Sequence, residues 1–79
     1  MVVEPRLYIV YQRSFKSREE LPEIVRECAM LSQAKQCVVE MVDGKPGRKL
    51  SKNGRSAHYF NAQRNDDMLV WIKRKRHYP

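Results

Sequence analysis

The sequence predicts a single α+β domain in which one amphipathic helix covers a three- or four-stranded sheet, with the elements in the order β-α-β-β-β. Three stretches carry that reading. Residues 6–12 (R-L-Y-I-V-Y-Q) are dense in β-branched and aromatic side chains, which suit a pleated, half-buried surface. Leu21, Ile24, Val25, Cys28 and Ala29 recur at i, i+3, i+4, i+7 and i+8, the spacing of one helical face. Residues 68–72 are apolar and run straight into the basic Lys73, Arg74, Lys75 and Arg76, reading as a final strand. With 79 residues the chain has room for one core, and a domain of this size buries only about 60% of the surface its unfolded form exposes. A hydrophobic share of 42% and interspersed charge place it among folded domains rather than disordered chains.

Along the first strand side chains alternate between faces, so Leu7, Ile9 and Tyr11 share one side and Tyr8 and Val10 the other. Ser17 and Glu20 have capping-box spacing, and Pro22 suits the first turn of a helix but not its interior. The helix is therefore expected from Leu21 or Pro22 to about Leu31 or Gln33, with Glu19, Glu20 and Glu23 complementing its N-terminal dipole. Residues 36–42 (Q-C-V-V-E-M-V) are expected as a second strand, ended by the turn signal Asp43-Gly44. If that strand lies parallel beside the first, the crossover is right-handed. Residues 44–56 then form a long basic loop, 57–61 a third strand, 64–67 a turn and 68–75 the last strand, with 73–79 as a basic tail.

Charge is the main functional signal. Sixteen Lys and Arg against nine Asp and Glu give +7 and a pI of about 9.8, a balance that bears on partners rather than on fold. Lys45, Arg48, Lys49, Lys52 and Arg55 fall in the predicted loop, which has no acid and whose glycines and proline prevent a helix. Such a loop sets backbone N–H groups and cationic heads against phosphates. Lys73, Arg74, Lys75 and Arg76 bring the two segments to nine of the sixteen basic residues. By strand alternation Lys73 and Lys75 share one face and Arg74 and Arg76 the other. Either segment alone also reads as a solvated surface; two in so small a domain favour an acidic partner. The predicted helix, with four acids and two bases over 17–32, turns away from a polyanion.

Tyr8, Tyr11, Phe15, Tyr59, Phe60 and Trp71 lie on or beside predicted strands. Trp71 and Phe60 are expected in the core, while Tyr8 and Tyr59 are the candidates for exposed rings that stack on bases. The run L-Y-I-V-Y-Q resembles the first-strand motif of RNA-recognition modules, and G-R-S-A-H-Y-F resembles their third-strand motif. That fold requires a second helix before its last strand, and only residues 62–68 are available for it, so the likeness does not extend to a family assignment.

No catalytic or metal chemistry is expected. Cys28, Cys37, His58 and His77 include no closely spaced ligand pair, and the two cysteines read as reduced core thiols. The glycines at 44, 47 and 54 match neither a P-loop nor a dinucleotide fingerprint, and Asp66-Asp67 reads as turn chemistry. Cofactors are not expected. Glu4 and Arg6 interrupt any secretory apolar segment after Met1, and no apolar run approaches the ~20 residues of a membrane span, so a cytoplasmic, non-membrane protein is expected. The functional expectation is a small nucleic-acid-binding protein, for DNA or RNA, working through phosphate contacts by Lys45, Arg48, Lys49, Lys52, Arg55, Lys73, Arg74, Lys75 and Arg76, with Tyr8 and Tyr59 as stacking rings. The alternative is an inhibitor or adaptor of the phage or mobile-element type, docking on an acidic protein surface or blocking a nucleic-acid-binding channel of a host protein.

Overall fold

The alternating apolar run near the N-terminus becomes an interior strand of the sheet, paired on both sides. The computed structural model describes residues 6–76. Its elements are β1 (Arg6–Ser14), β2 (Glu23–Cys28), α1 (Leu31–Val42), β3 (Lys49–Leu50), β4 (Ser56–Asn61) and β5 (Asp66–Arg76). They build one five-stranded antiparallel sheet in the order β2-β1-β5-β4-β3. The helix packs on one side of it, so the α+β class with a single helix on a sheet holds. The element order does not: it is β-β-α-β-β-β, and no parallel crossover exists among the described residues.

The error lies in residues 21–42, where helix and strand exchange places. The apolar spacing of Leu21, Ile24, Val25 and Cys28 is compatible with a helix, but Pro22 lacks an N–H and the β-branched Ile24 and Val25 favour extended backbone. The segment is edge strand β2, and of its residues only Cys28 is buried. The helix sits on a second face of the same period: Leu31, Ala34, Cys37, Val38, Met41 and Val42, in a stretch rich in good helix formers. Ala34, Cys37, Val38 and Val42 are buried there. The usual end signals are missing. Met30 occupies the N-cap without a side-chain hydrogen bond, and no acid lies in the first turn or base in the last. The helix stops at Asp43, with Gly44 following at φ 71°, a left-handed C-terminal residue that glycine adopts without strain. Asp43-Gly44 thus ends a helix rather than turning a hairpin.

The predicted basic loop over 44–56 is a turn followed by a hairpin. Lys49 pairs with His58 and Leu50 with Ala57, while Gly54 turns the chain at φ 70°. The basic stretch beginning at Lys73 belongs to the sheet as far as Arg76, in keeping with the strand expected over 68–75. It continues β5, with Lys73 opposite Ile9, Arg74 opposite Tyr8 and Lys75 opposite Leu7; residues 77–79 lie outside the described residues.

The core lies between α1 and one face of the sheet. Val10 from β1, Met68 and Val70 from β5, and Ala57 and Tyr59 from β4 meet Ala34, Cys37, Val38 and Val42 of the helix, with Cys28 of β2 at one side. Tyr8, Met41 and Ile72 pack around it. Cys28 and Cys37 are buried free thiols; burial and the neighbouring Cys28 push the Cys37 thiol above its ordinary range, which keeps it protonated and a poor nucleophile. No helix among the described residues is long and apolar enough to cross a membrane.

Candidate functional site

A single helix covers only one face of the sheet, and the residues of opposite parity form the other. Antiparallel partners project to the same side, so the register defines this second face row by row. Phe15, whose N–H donates to the Asp67 carbonyl at 2.9 Å, begins the first row, with Asp67 and its partner Phe60. Arg13, Leu69, His58 and Lys49 form the second. Ile24, Tyr11, Trp71 and Ser56 form the third. Glu27, Ile9 and Lys73 follow, then Leu7 and Lys75.

The aromatic side chains of this face are organised in pairs. The rings of Tyr11 and Trp71, directly opposite on neighbouring strands, stack with centroids 5.5 Å apart and planes 20° from parallel. The Arg13 guanidinium lies 5.8 Å from the Trp71 ring centre, within cation–π range. Phe15 and His58 meet edge to face at 5.2 Å and 80°. Phe15 is 51% exposed, while Tyr11, Phe60 and Trp71 are half-buried. Beneath them Ile9 is buried at 2% exposure although it belongs to no part of the helix-side core.

At the Phe15 end the face dips into a shallow pocket of about 190 Å³ lined by Phe15, Gly47, Lys49, His58, Tyr59 and Asp67. Its wall is fixed by the turn after α1. The Phe60 N–H donates to the Pro46 carbonyl at 2.8 Å, and Gly47, at φ 68°, lies so close that a Cβ there would touch the Phe60 side chain at 3.7 Å. Charge on the face is mostly positive. Arg13, Lys49, Lys73 and Lys75 lie on it against Asp67 and Glu27, and Glu27 is on the edge strand.

The residues expected from sequence to bind divide unevenly. Lys49, Lys73 and Lys75 are exposed on the aromatic face. Lys45, Arg48, Lys52 and Arg55 are exposed in the turns around β3, where Arg48 pairs with Asp43 at 3.4 Å. Arg74 is exposed on the helix side, paired with Tyr8. Arg76 ends β5, and its side chain lies outside the described residues. Of the two tyrosines, Tyr59 is corrected. Tyr59 is 6% exposed within the core, its hydroxyl donating to Gln12 Oε1 at 3.0 Å, and burial pushes its phenol above the ordinary range. Tyr8 packs against the same core. Tyr59 therefore presents no free ring, while Tyr8 is half-buried on the helix side of the sheet. The reverse holds for Trp71 and Phe60, expected in the core and found on the uncovered face.

The sequence does not single out Arg13, and offers His58 and Asp67 only as a ligand candidate and a turn residue, with Tyr11 and Phe15 only on or beside strands. Their signal was parity: they share the side of β1, β4 and β5 opposite Val10, Ala57 and Val70. Searches of protein-family models, curated proteins and solved structures found no match to the chain.

Proposed function

We propose that this protein binds single-stranded nucleic acid across the uncovered sheet face, by base stacking and phosphate pairing with low overall sequence specificity, and that it is not an enzyme. The observation carrying the reading is the Tyr11–Trp71 stack with Arg13 beside it, at the centre of a face where cations outnumber acids. Aromatic platforms flanked by Lys and Arg are what single strands require, because every base has a π-face and every nucleotide a phosphate. A double helix is read by an element that enters a groove. Here α1 spends its apolar side on the sheet and carries one lysine and one glutamate, Lys35 and Glu40. An acidic protein surface is less well matched at the centre of this face, where aromatic rings and cations interleave; the most exposed apolar side chains, Leu21, Ile24 and Met30, lie instead on or beside the edge strand β2.

Fluorescence anisotropy with labelled single-stranded DNA, single-stranded RNA and duplex, over a range of salt, tests the proposal and separates DNA from RNA. If Arg13, Lys49, Lys73 and Lys75 each engage a phosphate, log K against log salt has a slope of about −2.8 on single strands. The K49Q/K73Q/K75Q variant flattens it, and K45Q/R48Q/K52Q/R55Q in the turns does so less. Preference for duplex, a larger effect from the turn variant, or no binding at low salt each overturns the reading.

A further inference from the structure

The cationic, aromatic face contains one carboxylate in an unexpected place. Asp67 sits between Phe15, just past the end of β1, and Phe60 on β4, in the wall of the pocket that also holds His58 and Lys49. Among the described residues its carboxylate makes no ion pair and no side-chain hydrogen bond; the preceding Asp66, on the opposite face, instead accepts from the Ser14 hydroxyl. On a surface that attracts phosphates, a free acid weakens binding to every strand. Glu27 on the edge strand is also unpaired among the described residues, but Asp67 alone lies in a pocket, where a free acid gains a role by selecting among ligands.

We infer that this pocket is a guanine subsite, in which Asp67 reads the pairing edge of one unstacked base while Phe15 and His58 contact the ring. Guanine alone among the common bases places a ring N–H and an exocyclic amine side by side, so it alone meets both oxygens of one carboxylate with donors. Adenine and cytosine set their amine beside an unprotonated ring nitrogen, which repels the second oxygen. Uracil and thymine flank a single N–H with carbonyls. Hydrogen bonds to an ionised acceptor are the stronger kind, and Lys49, opposite His58 on the strand pair, lies where the same nucleotide's phosphate is neutralised. An arginine side chain of a partner protein offers a similar donor pair, but Lys49 and Arg13 repel a cation at this end of the face.

The inference rests on the single-strand reading, and the experiment separates the two. Anisotropy is measured with an oligouridylate of about ten nucleotides, and with the same oligomer carrying one central guanosine or one central inosine. The guanosine oligomer is expected to bind about tenfold tighter than the all-uridine one. Inosine, which keeps the ring N–H but lacks the amine, falls between. D67N and D67A abolish the guanosine preference while strengthening all-uridine binding, an opposite response that a folding defect would not produce. A preference that survives in both variants, or no effect of guanosine, overturns the subsite and leaves the single-strand reading in place. Failure of every oligomer to bind at low salt overturns both. Binding of an arginine-rich peptide but no oligonucleotide, lost in D67N, assigns the pocket to a protein partner and overturns the inference as well.

Discussion

The two faces of the sheet are built from the same three strands and serve opposite ends. On the helix side, β1, β4 and β5 present mainly small or flexible aliphatics, with Val10, Ala57, Val70 and Met68 against Ala34 and Val38, all of them buried, and Tyr59 as the one buried ring among the described residues. On the other side the same strands present Tyr11, Phe60 and Trp71, with cations alongside. Small side chains allow a helix to approach closely and pack to crystal-like density. Bulky rings hold neighbours off and, left uncovered, offer flat apolar area. The proposed reading is a division of labour: one face supplies stability, and the other is the one proposed to bind.

The sharpest way to break that comparison is to show that the faces are interchangeable. M68A, which empties a site at 1% exposure, should cost about 2–5 kcal/mol in urea unfolding, while the fraction still folded keeps its oligonucleotide affinity. W71A should do the converse, weakening single-strand affinity by about 1–3 kcal/mol in anisotropy titrations with a smaller loss of stability. If W71A destabilises as much as M68A while binding is unchanged, the second face is simply core.

Smaller effects sharpen the picture. K73Q/K75Q should reduce the magnitude of the salt slope by about 1.4 on single strands, with affinity at high salt little altered. Alkaline pH tests the helix side alone. Burial raises the folded-state pKa of both the Cys37 thiol and the Tyr59 phenol. A raised folded-state pKa gives stability that is complete below the unfolded value and is lost as pH climbs through the folded one. Thermal unfolding should therefore show Tm constant to near the ordinary thiol value of 9.0 and falling above it, with C37A losing part of that fall. The least effect is expected from E20A. It removes the partly exposed Glu20–Arg64 pair at 3.3 Å and should shift stability by less than about 1 kcal/mol.

Much of the sheet was legible in the sequence. The alternation of residues 6–12 located β1 and sorted Leu7, Ile9 and Tyr11 from Tyr8 and Val10, and the apolar runs located β4 and β5. Residues 21–42 were not legible because two overlapping stretches both satisfy the helical period, and the true helix lacks a capping side chain and end charges at Met30 and Asp43. The false one had the Ser17–Glu20 spacing and, beside it, Glu19 and Glu23 to recommend it. The site was half legible for a related reason. Cations such as Lys49 and Lys73 stand out in any composition count. Which ring faces solvent depends on which side the helix takes, and both sides of β1 and β5 are apolar. Only the register that couples Tyr11 to Trp71 and Phe60 to Asp67 brings the aromatic face together.

The most direct test uses the single tryptophan of the chain as its own probe. Trp71 emission is followed while a single-stranded oligonucleotide is titrated in at low salt, with anisotropy of the same labelled strand recorded in parallel. Stacking on the uncovered face predicts saturable quenching with the same midpoint as the anisotropy change, reversed by added salt. Anisotropy that rises while Trp71 emission stays constant would place the nucleic acid elsewhere and contradict the account.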